Sequence, residues 1–217
     1  MSNPKSILLM NRKNFEWLNV HLIPLMREKF ESKFTILTNN RENEFIKTVK
    51  IQEGDNCLLL QELEEEANNQ PNDEDLIFKS ARIYEEKYNI TYMRDSFMQD
   101  RAIAIKYLDS FKKNPASSGT KPILENITKE QNFYFQYFEG YFKEKSIDLV
   151  ISRPDSMIGF AMVTVAEAQG IPVTFQLPTR AEGYVFWPYG GYNKDVQFRN
   201  YLEAERLKKS PLNIKHK

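Results

Sequence analysis

The chain has 217 residues, enough for one well-buried domain and too few for two full ones. Lysine and arginine balance aspartate and glutamate at 30 each, so the overall charge excludes a strongly basic nucleic-acid-binding protein. The single cysteine, Cys57, excludes an internal disulfide. The absence of a secretory leader and of any apolar run near the roughly 20 residues that span a bilayer predicts a cytoplasmic location.

The first part of the chain alternates strand and helix patterns. Apolar runs predict strands at Ser6–Met10, Lys33–Thr38 and Asn56–Leu60. Between the first two, a helix is predicted from about Phe15 to Phe30, with a kink at Pro24. The apolar stripe predicted for this helix consists of Trp17, Leu18, Leu22, Leu25 and Met26. The alternation predicts an α/β, Rossmann-like, doubly wound and mostly parallel sheet.

The middle of the chain, about residues 75–145, is predicted to be a helical insertion. The helical pattern is interrupted near residues 89–92, and residues 114–122 have the composition of a loop. A second helix is predicted from Thr128, as a possible N-cap, to Lys145. Its aromatic side chains fall on two adjacent faces; they are Phe135, Phe138 and Phe142, and Tyr134, Tyr137 and Tyr141. This spacing predicts that most of these rings fill a core or an interface, in preference to stacking on a carbohydrate.

The segment IDLVISRPDSMIGFAMVTVAEAQGIPV predicts a βαβ unit. Ile147–Ile151 reads as a buried parallel strand, and Pro154 with a cap at Asp155 or Ser156 starts a helix. That helix is expected to end at Gly170, before a further strand at Val173–Leu177. Right-handed crossover then places the SRPDS turn at the carboxyl edge of the sheet, where open α/β folds bind ligands. The Rossmann-like domain is predicted to span residues 1–192, with a C-terminal helix and basic tail at 193–217.

Motifs for several chemistries are missing from the sequence. A Walker A loop, a GxGxxG turn after the first strand and a nucleophile elbow are all absent. Two histidines and one cysteine do not supply a usual zinc site, so no metal is expected.

Polar residues instead follow the predicted strands, where the fold brings their carboxyl ends together. They are Asn11 and Arg12, Thr38 and Asn39, Arg153, Asp155 and Ser156, and Thr179, Arg180 and Glu182. Arginines there can hold a phosphate or carboxylate, and a carboxylate can accept a proton from a hydroxyl. The structural alternative is that Asp155 and Ser156 only cap a helix while the arginines pair with surface acids. The loop VFWPYGGY at 185–192 predicts either a sugar or nucleobase platform or a docking surface.

A family resemblance rests on several segments taken together. They are SILLMN, NFEWLN, YMRDSFMQDRA at 92–102, the aromatic helix, IDLVISRPDS and AEAQGIPVTFQLPTRAEGYVFWP. In this combination the chain resembles the N-terminal domain of GT-B fold glycosyltransferases from bacterial capsule and surface-polysaccharide biosynthesis. The resemblance implies an acceptor-binding half that carries the base and works without a metal or cofactor, with a nucleotide-sugar as co-substrate. The donor-binding C-terminal domain would be supplied in cis or in trans.

The resemblance also implies roles for particular residues. Asp155 is the first candidate for the base that deprotonates the acceptor hydroxyl, and Asp100 is the second. Arg12, Arg153 and Arg180 would hold an anionic acceptor or the donor phosphates.

The expected partner is a glycan or lipid-linked acceptor, and the basic end can contact the inner face of the cell membrane. Two alternatives remain open at this point. They are a non-catalytic docking module and part of a GT-B-shaped nucleotide-sugar epimerase.

Overall fold

The structure is a computed structural model, and it describes residues 3–39, 44–98, 100, 103, 121–178 and 185–187. The strands are β1 (Ser6–Met10), β2 (Lys33–Thr38), β3 (Asn56–Leu59), β4 (Leu149–Ile151), β5 (Val173–Thr174), β6 (Leu177–Pro178) and β7 (Val185–Phe186). The α-helices are α1 (Glu16–Phe30), α2 (Glu44–Val49), α3 (Leu60–Asn68), α4 (Glu74–Tyr88), α5 (Lys121–Glu144) and α6 (Met157–Ala168). A 3-10 turn (Lys13–Phe15) precedes α1, and a π-helix (Tyr92–Phe97) follows α4.

Five of the strands form one parallel sheet in the order β3-β2-β1-β4-β5. The central strand β1 pairs with β2 and β4, so that Leu8 lies beside Thr35 on one side and Val150 on the other. This arrangement confirms the predicted Rossmann-like α/β fold. The helices from α3 to α5 lie between β3 and β4 in sequence, which confirms a helical insertion in the middle of the chain. It begins with α3 at Leu60, earlier than the predicted start near residue 75.

The sheet is covered on both faces because its strands are apolar on both sides of the pleat. On one face α1 and α2 pack over Ile7, Leu9 and Phe34. On the other face the helical insertion and α6 pack over Leu8 and Val150. The side chains of Ile7, Leu8 and Leu9 are fully buried, as expected for an internal strand.

The apolar stripe predicted for α1 is wrong in part. Trp17 and Leu25 are 54% and 46% exposed, whereas the buried residues are Asn19, Ile23 and Met26. Ile23 and Met26 pack in the core on this other face of the helix. Asn19 can occupy a core position beside them because its amide finds partners inside the protein.

The long aromatic helix begins earlier than the sequence pattern predicted. It starts at Lys121, so Thr128 lies inside the helix and is buried instead of capping it. The end of the predicted loop, residues 121–122, is therefore helical. Pro122 is compatible with this start because a first-turn proline lacks only an N–H that would have no helical partner.

The aromatic face of α5 fills the core, as predicted. Tyr134, Phe135, Phe138 and Phe142 are buried, and the Phe135 ring stacks on rings of α4 and the π-helix. The predicted break near residues 89–92 is confirmed, since α4 ends at Tyr88 and the π-helix begins at Tyr92. This packing fixes the helical insertion against the sheet.

The last predicted elements are described only in part. β5 is shorter than the predicted strand and comprises Val173–Thr174. The predicted C-terminal helix and basic tail, and most of the loop at 185–192, lie outside the described residues. Within the described ranges, the structure contains no helix with the length and apolar character needed to cross a membrane.

Candidate functional site

The candidate site lies at the carboxyl ends of β1 and β4. In the observed strand order the chain runs from β1 outward through β2 and β3, then returns to place β4 on the other side of β1. Such a switch point leaves a crevice at the carboxyl edge, because the connections after the two strands leave in opposite directions. The segment after β1 and the SRPDS turn after β4 therefore border the same crevice.

The structure brings together four of the predicted site residues. The guanidinium of Arg12 forms an ion pair with Asp155 and donates a hydrogen bond to Ser156 Oγ at 3.0 Å. Arg153 Nε lies 3.3 Å from the second oxygen of Asp155. The side chains of Arg12, Arg153 and Asp155 are only 25%, 21% and 29% exposed. Asp155 thus compensates charge on both arginines and ties the end of β1 to the turn after β4.

Ser156 performs the predicted capping role. Its hydroxyl accepts a hydrogen bond from the Gly159 N–H at 3.3 Å, at the start of α6. The helix is followed by Gly170 in a left-handed conformation, with φ +74, as the sequence predicted. Ser156 therefore has two roles at once, because the same hydroxyl accepts from the helix and from Arg12.

A cleft of about 470 Å³ opens beside this cluster. Its polar lining comes from the segments after β1 and β2, from the helical insertion and from the start of α6: Asn11, Arg12, Lys13, Asn14, Asn39, Glu64, Asp100, Glu130, Tyr134 and Ser156. The apolar lining consists of Met10, Leu60, Ile103, Ile123, Ile127, Met157 and Ile158. Of the four residues that the ion pairs bring together, Arg12 and Ser156 line the cleft, whereas Arg153 and Asp155 do not border it.

Asp100, the second candidate for the base, is a cleft residue. One oxygen of its carboxylate accepts the Met157 N–H at 3.2 Å, and the other accepts the Ile103 N–H at 3.3 Å. Its own N–H donates to the Ser96 carbonyl at 3.0 Å. The carboxylate is therefore oriented by backbone groups of separate segments.

The helical insertion adds two carboxylates that the sequence reasoning missed. Glu64 lies on α3 and Glu130 on α5, and both border the cleft. The Tyr134 hydroxyl donates to Glu130 Oε1 at 2.7 Å. Burial first, and then the charges of Glu130, Glu64 and Asp100, raise the pKa of Tyr134 well above its ordinary value. The i, i+4 spacing of Glu130 and Tyr134 was visible in the sequence, but their position in the cleft was not.

A chain of side-chain hydrogen bonds connects the segment after β5, through α1, to Asn11 at the cleft. Gln176 donates to Asn19 Oδ1 at 2.5 Å, Asn19 donates to Asn11 Oδ1 at 3.1 Å, and Asn11 donates to Glu16 at 3.2 Å. Asn19 and Gln176 are buried, and neither was predicted as a site residue. Asn11 is therefore held in place by partners on both sides.

The remaining predicted residues are placed as follows. Asn39 borders the cleft, while Thr38 is a buried residue at the end of β2. Thr179, Arg180 and Glu182 lie outside the described residues. In the described part of the chain, no three His, Cys, Asp or Glu side chains are grouped so as to hold a metal ion.

Searches against models of protein families, curated proteins and solved structures found no match to this chain. The fold therefore rests on the observed sheet order.

Proposed function

We propose that the chain is the acceptor-binding half of a glycosyltransferase and that the acceptor sugar binds in the cleft at the ends of β1 and β4. The observation that supports this most directly is the lining of the cleft. It combines hydrogen-bond donors on Arg12 and Lys13 with acceptors on Glu64, Asp100 and Glu130. Sugar hydroxyls need both kinds of partner because each hydroxyl donates one hydrogen bond and accepts others.

The size and apolar lining of the cleft agree with a sugar-sized ligand. Its 470 Å³ lies within the range of about 300–1,000 Å³ found for small-molecule sites. Ile123 and Ile127 supply an apolar wall from α5, against which the C–H face of a sugar ring can pack. A pocket of this kind holds one or two sugar units of an acceptor, with the rest of the glycan or its lipid outside.

In the proposed reaction a carboxylate takes the proton from an acceptor hydroxyl. The hydroxyl oxygen then bonds to the anomeric carbon of the donor sugar, while the bond from that carbon to the nucleoside diphosphate breaks. The nucleotide-sugar enters as co-substrate on a donor-binding domain, in cis or in trans. No step requires a further cofactor.

The site geometry favours Asp100 over Asp155 as the base. Asp100 borders the cleft, whereas Asp155 faces Arg12 and Arg153 and holds the turn after β4. We therefore assign proton transfer to Asp100 and a structural role to Asp155. The predicted binding of an anionic group by Arg12 and Arg153 stays a prediction, since such a group has to compete with Asp155.

The proposal is tested by calorimetry on the full chain with oligosaccharide acceptors and, separately, with nucleotide-sugars. We expect oligosaccharides to bind and nucleotide-sugars not to bind. The Glu64→Gln variant should weaken oligosaccharide binding about tenfold, which is the loss of one hydrogen bond to a charged group. Glu66→Gln, on the same helix and outside the cleft lining, is the matched control and should leave the affinity unchanged.

Other outcomes point to the alternatives. Binding of nucleotide-sugars without oligosaccharides would contradict the acceptor role and favour an epimerase-like donor site. Binding of neither class would favour a docking module. Cytoplasmic location, membrane contact and a role in capsule biosynthesis remain predictions that the calorimetry does not address.

A further inference from the structure

Asp100 belongs to a closed circuit of four hydrogen bonds. Ser96 Oγ donates to Gln131 Oε1 at 2.6 Å, and Gln131 Nε2 donates to the Met157 carbonyl at 3.3 Å. The Met157 N–H donates to the Asp100 carboxylate at 3.2 Å, and the Asp100 N–H donates to the Ser96 carbonyl at 3.0 Å. The circuit joins the end of the π-helix, the middle of α5 and the first residue of α6.

The partners of Gln131 are more specific than burial alone requires. Ser96 and Gln131 are 1% and 0% exposed, so their side chains must find hydrogen-bond partners inside the protein. Any buried carbonyl or hydroxyl would satisfy that need. Both partners of Gln131 are instead the residues that directly contact Asp100 through their backbones.

The π-helix contributes to the same arrangement. Its last residues are Ser96 and Phe97, and the Ser96 carbonyl accepts the N–H of Asp100 beyond its end. π-Helices are rare and occur frequently at functional sites. Here Asp100, which follows shortly after the end of the π-helix, places its carboxylate at the cleft.

We propose that Ser96 and Gln131 are positioning residues that fix the Asp100 carboxylate at the cleft. As far as catalysis is concerned, this inference rests on the proposed function of Asp100 as the base. The geometric part does not depend on it, since the circuit orients the carboxylate whatever the ligand. Gln131 is not itself a lining residue of the cleft, and it acts on Asp100 through Ser96 and Met157.

The geometric part is tested by amide hydrogen exchange of the full chain, measured by NMR, in the Gln131→Met variant. This substitution keeps the length of the side chain and removes both hydrogen bonds. We expect exchange of the Met157 N–H to accelerate at least tenfold relative to the Phe160 N–H, which donates to the Ser156 carbonyl within the same helix start. Loss of global stability alone would accelerate both amides alike and leave their ratio unchanged.

The matched control is Asn132→Leu. Asn132 is the next residue on α5 and also bridges to other helices, donating to the Ile77 carbonyl and accepting from the Tyr92 hydroxyl. This variant should lower stability and leave the Met157 to Phe160 exchange ratio as in the unmodified chain. An unchanged ratio in Gln131→Met would overturn the positioning role.

The functional part is tested by a double-mutant cycle on oligosaccharide affinity. We expect Gln131→Met to weaken binding about tenfold, which is about 1.4 kcal/mol, and to have almost no further effect in a chain that already carries Asp100→Asn. Additive losses would show that Gln131 does not act through Asp100 and would contradict the inference. If the unmodified chain binds no oligosaccharide, the proposed function fails, and the exchange ratio still decides whether Gln131 positions Asp100.

Discussion

At the scale of single residues, Gly159 determines how closely the SRPDS turn packs on α6. A Cβ atom at this position would lie 2.3 Å from the Arg153 carbonyl oxygen and 3.0 Å from Ser156 Oγ. Both neighbours belong to the turn that carries Asp155. A side chain at position 159 therefore displaces the turn from the helix, and with it the contacts to Arg12.

We expect Gly159→Ala to destabilise the protein by about 1–3 kcal/mol, the usual cost of overpacking against backbone. Gly140→Ala is the matched control, because Gly140 lies inside α5 and a Cβ there meets nothing within 4 Å. That variant should stabilise the protein by about 0.5–1 kcal/mol through helix propensity. Urea denaturation measures the free energy of unfolding of both variants. The same change in both would contradict the close approach of the turn to Gly159.

Ser156 shows what local sequence can and cannot specify about a residue. Its capping role was predicted because Pro154 and the following apolar run mark a helix start within a few residues. Its contact with Arg12 joins positions 144 apart in the sequence and depends on β1 lying beside β4. Local spacing carries no information about that pairing.

At the scale of elements, Lys129 connects α5 to the end of α3 through hydrogen bonds. It is only 7% exposed, and its ammonium donates to the carbonyls of Asn68 and Gln70 and to Asn72 Oδ1, at 3.0, 3.4 and 2.8 Å. A positive charge at this point also opposes the partial negative charge at the C-terminus of α3. The lysine thereby holds α3, which carries the cleft residue Glu64, against α5.

We expect Lys129→Met to cost about 2 kcal/mol of stability, because it removes the hydrogen bonds that a largely buried ammonium donates to three acceptors at the end of α3. Lys143→Met, at an exposed position of the same helix, is the control and should change stability little. Thermal unfolding followed by circular dichroism measures both variants. Equal melting temperatures would mean that the ammonium contributes nothing to the attachment of α3.

At the scale of the whole molecule, partly buried tyrosines of the helical insertion make the stability of the fold depend on alkaline pH. Burial and the charge of Glu139 raise the pKa of Tyr84 to about 12, and burial with neighbouring charges raises that of Tyr137 to about 12. An unfolded tyrosine titrates near pH 10. The folded state therefore favours the neutral phenol, and its contribution to stability is complete below about pH 10 and is lost as the pH rises through about 12.

We expect the urea midpoint to be steady up to about pH 9 and to fall between about pH 10 and pH 12. Replacing Tyr84 and Tyr137 with phenylalanine should make this fall shallower, because two of the titrating phenols are gone. Urea titrations of both proteins across this range measure the difference. The same slope in the doubly substituted chain would contradict the assignment to these tyrosines.

The sheet and the candidate site differ in how far sequence could predict them. β1 and β2 have their predicted bounds, since continuous β-branched and apolar runs identify buried strands directly. The strands also place Asn11, Arg12, Asp155 and Ser156 near one edge, because parallel strands end together. Most of the missed residues, namely Glu64, Glu130, Asn19 and Gln131, lie on helices, whose orientation over the sheet is not encoded in spacing alone. Gln176 follows β5, and its contact with Asn19 joins positions far apart in the sequence.

Local sequence patterns were sufficient to specify the alternation of strands and helices, the cap at Ser156 and the aromatic core face of α5. These features depend on contacts and dihedral angles within a few residues, so local chemistry is sufficient to specify them. Three other features depend on how the elements pack: which face of α1 is buried, the ion pairs of Asp155 with two arginines, and the position of Asp100 at the cleft. Those outcomes depend on which distant groups satisfy each buried polar atom, and that is settled only when the elements pack together.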